Sequence, residues 1–197
     1  MYLLKRISWF YHALNPSFRA RHLCFLMAFF ASGHFSTVET ITQNWRMVAV
    51  KKINHAAFSE LQRITSTRGQ VVDELNILRS LVHRNIVTYI ESSVFNELSL
   101  LVTELMIGGD LMQVLIADGA LSEPIACSMF LGLTEGLSYL HDHRVVHRDI
   151  KPENILLSCS PSLSTVAKFC DFGLARKLTT GDRCRTLCGT FFIWLLN

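Results

Sequence analysis

The chain has 197 residues, half of them hydrophobic and 18% charged, with a formal net charge of +3. That length is enough for one good core, and the modest charge excludes the strongly basic field of a nucleic-acid-binding surface. The six cysteines, at 24, 127, 159, 170, 184 and 188, show no C-x-x-C pair and no zinc spacing; free thiols in a reducing compartment, cytoplasm or nucleus, are expected.

Residues 1–22 include Lys5, Arg6, Arg19 and Arg21 but no acid, a basic leader of the kind seen in transit peptides or disordered ends. The apolar run from Leu23 to Ala31 falls far short of the roughly 20 residues that span a bilayer, so no membrane span is expected. It is read as a first strand, with further strands near 36–42, 47–53, 87–92 and 98–104. Helices are expected near 68–82, 110–117 and 123–142. In the first of these, apolar residues at 71, 75, 78 and 82 keep helical spacing, and Glu74 lies beside that stripe. A β-rich part followed by a helical part predicts an α+β body. Ser158 to Thr165, with Pro161, reads as a polar loop.

The most informative stretch is His147-Arg148-Asp149-Ile150-Lys151-Pro152-Glu153-Asn154, followed by Asp171-Phe172-Gly173. It sets a carboxylate, an ammonium, an amide and a second carboxylate in the order that phosphoryl transfer needs. That reaction asks for metal ligands, a positive clamp and an aimed hydroxyl. The first segment matches the catalytic-loop template H-R-D-x-x-x-x-N, and D-F-G supplies a partner metal ligand. Val48-Ala49-Val50-Lys51 upstream reads as a strand ending at a phosphate clamp.

With these motifs in this order the chain resembles the eukaryotic protein kinase family of serine/threonine type, and the resemblance runs from about Leu23 to Thr190. It implies a two-lobed fold with ATP between the lobes, the β-rich lobe over about 23–105 and an incomplete helical lobe over about 106–197. By resemblance, Asp149 orients the acceptor hydroxyl and takes its proton, and Lys151 is aimed at the γ-phosphate. Asn154 and Asp171 correspond to the Mg²⁺ ligands, and Lys51 to the lysine that holds the α- and β-phosphates and pairs with a helix glutamate, here Glu74. The pattern G-x-G-x-x-G-x-V falls on Ala31 to Val38 and keeps only Gly33 of its three glycines. Val38 and Ala49 would cover one face of adenine and Leu156 the other. Thr103 occupies the gatekeeper position, and the backbone from Glu104 to Met106 is the expected hinge.

The resemblance also implies partners. Asp110 corresponds to a carboxylate that contacts ribose or a substrate arginine and Glu153 to another that reads arginine, so protein substrates with arginine near the target are expected. Arg185-Thr186-Leu187-Cys188-Gly189-Thr190 is similar to the activation segment of calcium/calmodulin-group kinases. Thr186 then corresponds to an activating phosphosite, filled by an upstream kinase or by trans-autophosphorylation. Its phosphate would pair with Arg148, and Thr190 would contact Asp149 and Lys151. Glu104 to Leu111, Lys151 to Leu157 and the R-T-L-C-G-T run most resemble DNA-damage checkpoint effector kinases. After Thr190 the family continues into further helices, whereas this chain reads Phe191 to Asn197, so a domain cut after the activation segment is expected. A second reading, a non-catalytic binding or decoy module, follows from the depleted glycine loop and that ending.

Overall fold

The computed structural model describes residues 28–32, 36–43, 46–54, 70–94 and 98–179. The leader over 1–22, the glycine of the loop at Gly33, and Thr186 and Thr190 lie outside the described residues. The chain divides into two compact units: one runs to Ser66 and takes in Ile90–Leu105, and the other comprises Thr67–Tyr89 and the chain from Met106 onward. The α+β class expected from sequence is the one observed, with a β-sheet unit and a unit that holds the helices.

The sheet contains β1 (Ala28–Ser32), β2 (Ser36–Gln43), β3 (Arg46–Asn54), β4 (Tyr89–Val94) and β5 (Leu98–Glu104), in the order β1-β2-β3-β5-β4. In β3 the alternation does what a half-covered strand requires: Val48 and Val50 are buried, while Ala49 and Lys51 are half-buried on the opposite face. β5 lies between β3 and β4, and Ser99 to Val102 are all buried, as befits an interior strand. β3 pairs antiparallel with β5 so that Ala49 stands opposite Thr103 and Lys51 opposite Leu101. Residues directly opposite share a face. Ala49, Lys51, Leu101 and Thr103 therefore project from the same side.

The second unit holds α1 (Gln70–Arg79), α2 (Leu111–Asp118) and α3 (Glu123–Asp142), with short strands β6 (Val145–Val146), β7 (Ile155–Leu157), β8 (Ala167–Phe169) and β9 (Arg176–Lys177). β6 pairs with β9 and β7 with β8, both antiparallel. α1 ends at Arg79, before the expected 82, and its apolar stripe does not run through residue 82. The N–H and hydroxyl of Ser80 both turn onto the Ile77 carbonyl, at 3.0 and 2.8 Å. That ends the helical phase after Arg79. Leu81 takes the core position instead, and Val82 is left 82% exposed.

α2 starts where Asp110, in extended conformation, accepts a hydrogen bond from the Gln113 N–H at 2.9 Å, and stops at Gly119, whose φ is 80°. α3 starts after Ser122 with a proline in its first turn, and buries Met129, Gly136 and Leu140. Gly136 sits on this face for a steric reason: a Cβ there would lie 3.0 Å from the Asn85 Cβ and 3.5 Å from the Phe169 ring. Phe130 and Leu131, one and two residues on from Met129, are exposed. No helix among the described residues is long and apolar enough to cross a membrane. The described cysteines, Cys127, Cys159 and Cys170, are free thiols.

The polar loop between β7 and β8 is held by side-chain hydroxyls, chief among them Thr165, with Ser158 Oγ accepting from the Val166 N–H at 2.9 Å. Thr165 is buried; its Oγ1 donates to the Ser160 carbonyl and accepts from the Ser162 N–H, both at 2.8 Å. Hydroxyl side chains that bond nearby backbone in this way stabilise turns without regular structure.

Candidate active site

The short β7–β8 hairpin carries most of the motif residues. Ile155 pairs with Phe169, and just outside that pair the Cys170 N–H donates to the Asn154 carbonyl at 3.0 Å. Asn154 and Cys170 are thus tied across the hairpin mouth, and Asp171 follows at once. Two residues far apart in sequence, both expected as metal ligands, arrive at one place through a single backbone hydrogen bond.

Asp149 is fixed from two directions. The Lys151 ammonium lies 2.9 Å from its Oδ2. The Asn154 Nδ2 donates to the same Oδ2 and to the Asp149 backbone carbonyl, each at 2.9 Å. Side-chain exposure is 22% for Lys151 and 12% for Asp149, so the pair sits in a reduced dielectric where charge-assisted bonds hold better than on an open surface. With its Nδ2 committed to Asp149, Asn154 has Oδ1 as the atom suited to a hard cation. Asp171 is exposed, with φ of 56°, and its Oδ1 accepts from the Gly173 N–H at 3.3 Å. A non-glycine residue in this left-handed region costs on the order of 1 kcal/mol or more. Arg148, with φ of 67°, shares the distortion. Strain of this kind collects where a side chain has to be aimed.

His147 is the residue whose task the motif alone did not disclose; its position at the head of the loop motif was the only signal. It is 1% exposed. Its Nε2–H donates to the Cys170 carbonyl at 2.9 Å, and its Nδ1 accepts from the Asp149 N–H at 3.4 Å. This pattern suits the neutral ring protonated on Nε2. The imidazole therefore bridges the Asp149 segment to the residue before Asp171, and it packs at 4.8 Å from the Phe172 ring. Burial pushes its pKa below the ordinary 6.5, outweighing the opposite pull of the Cys170 carbonyl, Asp171 and Asp149. The unfolded chain then takes up this proton at a higher pH than the native one. Stability contributed by a neutral His147 is complete above pH 6.5 and declines as the pH falls from there toward the lowered native value. Thermal midpoints measured from about pH 7.5 down to about pH 5.5 are expected to fall, and to fall less steeply in His147→Gln, which has no such titration. Equal slopes would rule out this linkage.

The remaining expected residues are distributed as follows. Lys51 lies in the β-sheet unit, half-buried on β3, with Val38 opposite it in the β2–β3 register. Ala49 and Thr103 share its face. Glu104 ends β5, and Met106, the first residue of the second unit's later segment, is buried. Glu74 on α1 is 4% exposed, not a solvated helix glutamate. Its Oε2 lies 3.5 Å from where a Gly173 Cβ would stand, so the carboxylate faces the D-F-G turn. Leu156 forms an isolated antiparallel bridge with Asp110. One carboxylate oxygen of Asp110 is engaged in capping α2, and Glu153 is exposed. Arg148, expected to meet a phosphate, donates from Nε to the Leu174 carbonyl at 2.6 Å.

Among the described residues no three His, Cys, Asp or Glu side chains gather into a metal cluster. A carboxylate and an amide nevertheless suit Mg²⁺, which keeps few protein ligands and completes its shell with phosphate oxygens and water. The donor set fits the ion.

Comparison with known proteins gives one family. The protein kinase domain family matches residues 29–193. The chain is 38% identical over 162 residues to a probable serine/threonine-protein kinase, fhkD, of Dictyostelium discoideum, covering 81% of this chain and 21% of that protein. It is 35% identical over 160 residues to a probable myosin light chain kinase of the same organism, covering 80% of this chain and 40% of that protein. With calcium/calmodulin-dependent protein kinase type 1 of Macrobrachium nipponense it shares 35% over 145 residues, 74% of this chain and 40% of that one. The chain thus spans well under half the length of these relatives.

Proposed function

The chain belongs to the protein kinase family, and on that premise we propose that it transfers the γ-phosphoryl group of ATP to serine or threonine hydroxyls of protein substrates. The observation that carries this reading is the Asp149 carboxylate held between the Lys151 ammonium and the Asn154 amide, each at 2.9 Å. A carboxylate so restrained can take the hydrogen of an acceptor hydroxyl as its oxygen attacks phosphorus. Lys151 balances charge beside it. Asn154 and Asp171 would hold Mg²⁺, which supplies electrostatic neutralisation of the phosphates. By resemblance, Lys51 is the residue expected to clamp the α- and β-phosphates, with Glu74 its expected partner. By the same resemblance, Gly33, Val38, Ala49 and Leu156 are the residues expected around the nucleotide, the backbone of Glu104 and Met106 those expected at the adenine edge and Asp110 the one expected at the ribose.

Finer features belong to the same proposal. Asp110 and Glu153 favour substrates with arginine near the target, because a carboxylate accepts two parallel bonds from a guanidinium. Phosphorylation of Thr186, by an upstream kinase or in trans by a second copy, is the expected switch, its phosphate pairing with Arg148, and Thr190 is the residue expected to contact Asp149 and Lys151. Likeness to checkpoint effector kinases rests on Glu104 to Leu111, Lys151 to Leu157 and Arg185 to Thr190. A cytoplasmic or nuclear setting accords with the free thiols.

The test is nucleotide-dependent stability. ATP is expected to raise the thermal midpoint only with Mg²⁺ present, by the amount that ligand linkage gives at saturating concentration, about 2.7 kcal/mol at a hundredfold excess over Kd. Asp171→Ala is expected to abolish the Mg²⁺-dependent part. Stabilisation absent from the native chain would instead favour the non-catalytic binding module.

A further inference from the structure

Asn85 lies where α3 and β8 of the helix-containing unit come together. It is 4% exposed, and its Nδ2 donates to the Ala167 carbonyl at 2.9 Å. Its Oδ1 is buried without a hydrogen-bond partner among the described residues. The aim of this side chain therefore rests on one hydrogen bond and on the room left around it. Two glycines of α3, one turn apart, leave that room. A Cβ at Gly132 would stand 2.5 Å from the Asn85 Nδ2, and one at Gly136 would stand 3.0 Å from the Asn85 Cβ. Only proline is less favoured than glycine inside a helix, so the stability of α3 itself does not account for the pair.

Short links carry this contact to the phosphotransfer residues. β8 is gripped at two points. At Phe169 the grip is backbone: its N–H donates to the Asn85 carbonyl and its carbonyl accepts from the Val87 N–H, both at 2.9 Å. At Ala167 the grip is the Asn85 amide. Two residues of strand separate these points by about 7 Å, and Asp171 follows two residues beyond Phe169. With Phe169 pinned, a shift of the strand at Ala167 is passed on to Asp171 in the opposite sense, at a comparable size. β7 pairs with β8 along its length, so the hairpin that joins Asn154 to Cys170 at its mouth turns as one piece.

We propose, resting on the reading of Asp171 as a Mg²⁺ ligand, that Asn85 is a positioning residue for Asp171 and that Gly132 keeps its amide aimed. Neither residue is among those expected to touch nucleotide or substrate. The three atoms nearest a Gly132 Cβ all belong to the Asn85 side chain. A methyl group there pushes on the far end of a side chain that can rotate, so the amide swings off Ala167 while α3 stays in place.

Thermal denaturation of the full chain at fixed ATP, with Mg²⁺ titrated, tests this by the Mg²⁺ concentration at half-maximal stabilisation. Asn85→Ala and Gly132→Ala are each expected to raise it by about three- to tenfold, less than the loss of a group bonded to the metal ligand itself. Gly132→Ala is expected to leave the ligand-free thermal midpoint near the native one, because the helix preference of alanine offsets the lost amide bond. The two effects are expected not to add: with no amide left to displace, Gly132→Ala changes nothing further in the double variant. In both single variants, without ligand, hydrogen exchange is expected to quicken at Cys170, whose N–H closes the hairpin mouth. An unchanged Mg²⁺ requirement in either single variant, additive effects, or a shift that merely follows the ligand-free midpoint overturns the proposal. Mg²⁺-dependent stabilisation of the native chain with no change in the variants sinks this inference alone. A native chain with no such stabilisation removes Asp171 as a metal ligand, and this inference with it.

Discussion

Asp149→Asn is expected to lower phosphotransfer to a serine-containing peptide by about 10²- to 10⁴-fold, the usual contribution of a positioned general base, with little change in nucleotide affinity. The substitution is nearly isosteric. An asparagine can still accept from the Asn154 amide, which donates to Asp149 Oδ2 at 2.9 Å. What it loses is the charge that draws the Lys151 ammonium to 2.9 Å and the basicity that receives a proton. The loop therefore stays folded while the chemistry fails, and circular dichroism together with the Mg²⁺-ATP stability shift separates the two. Equal rates for both proteins would mean that the carboxylate is not the base.

Gly108→Ala is expected to destabilise the chain by about 1–3 kcal/mol, the range for overpacking a filled site. For a chain of this size that is a fall in thermal midpoint of several degrees, at roughly 2–4 °C per kcal/mol. Gly108 donates from its N–H to the Leu157 carbonyl at 2.9 Å. A Cβ there would stand 2.8 Å from that same oxygen, 2.7 Å from the Cys159 carbonyl carbon and against the Cys159 oxygen. All three are backbone atoms, so no flexible side chain can swing aside. Gly119 is the contrasting control: its φ of 80° strains an alanine, but a Cβ there meets nothing within 4 Å. Gly119→Ala is expected to cost only the backbone penalty, about 1–3 kcal/mol for a conformation (φ 80°, ψ −150°) that glycine alone adopts readily. Chemical denaturation midpoints compare the three proteins directly. If Gly108→Ala proves as stable as the native chain, the Leu157–Cys159 backbone does not limit this approach.

Several parts of the fold were legible in the residues because they depend on short-range pattern. Alternation in Val48-Ala49-Val50-Lys51 announces a strand, and a long helix is expected over 123–142, where α3 is found. The end of α1 was not legible. Val82 keeps the 3.6-residue spacing, and only the turn of Ser80 onto Ile77 takes it out of phase. Local spacing alone suits a solvated Glu74, and it is the motifs taken together that single it out as the expected partner of Lys51; its enclosure against the D-F-G turn, about a hundred residues further along, is set by packing.

Side-chain type and local spacing by themselves determined the class of chemistry. Which atoms can give up a proton, bind a hard cation or clamp a phosphate is a property of the residues and their order. Tertiary structure alone decided how the residues are held. His147 spanning from the Asp149 N–H to the Cys170 carbonyl, Arg148 turned onto Leu174, Asp110 capping α2 and Gly108 pressed on the β7–β8 loop all depend on which distant backbone atoms stand nearby. Hydrogen bonds and steric limits act over a few ångströms of space, whatever the separation along the chain, and packing sets those distances.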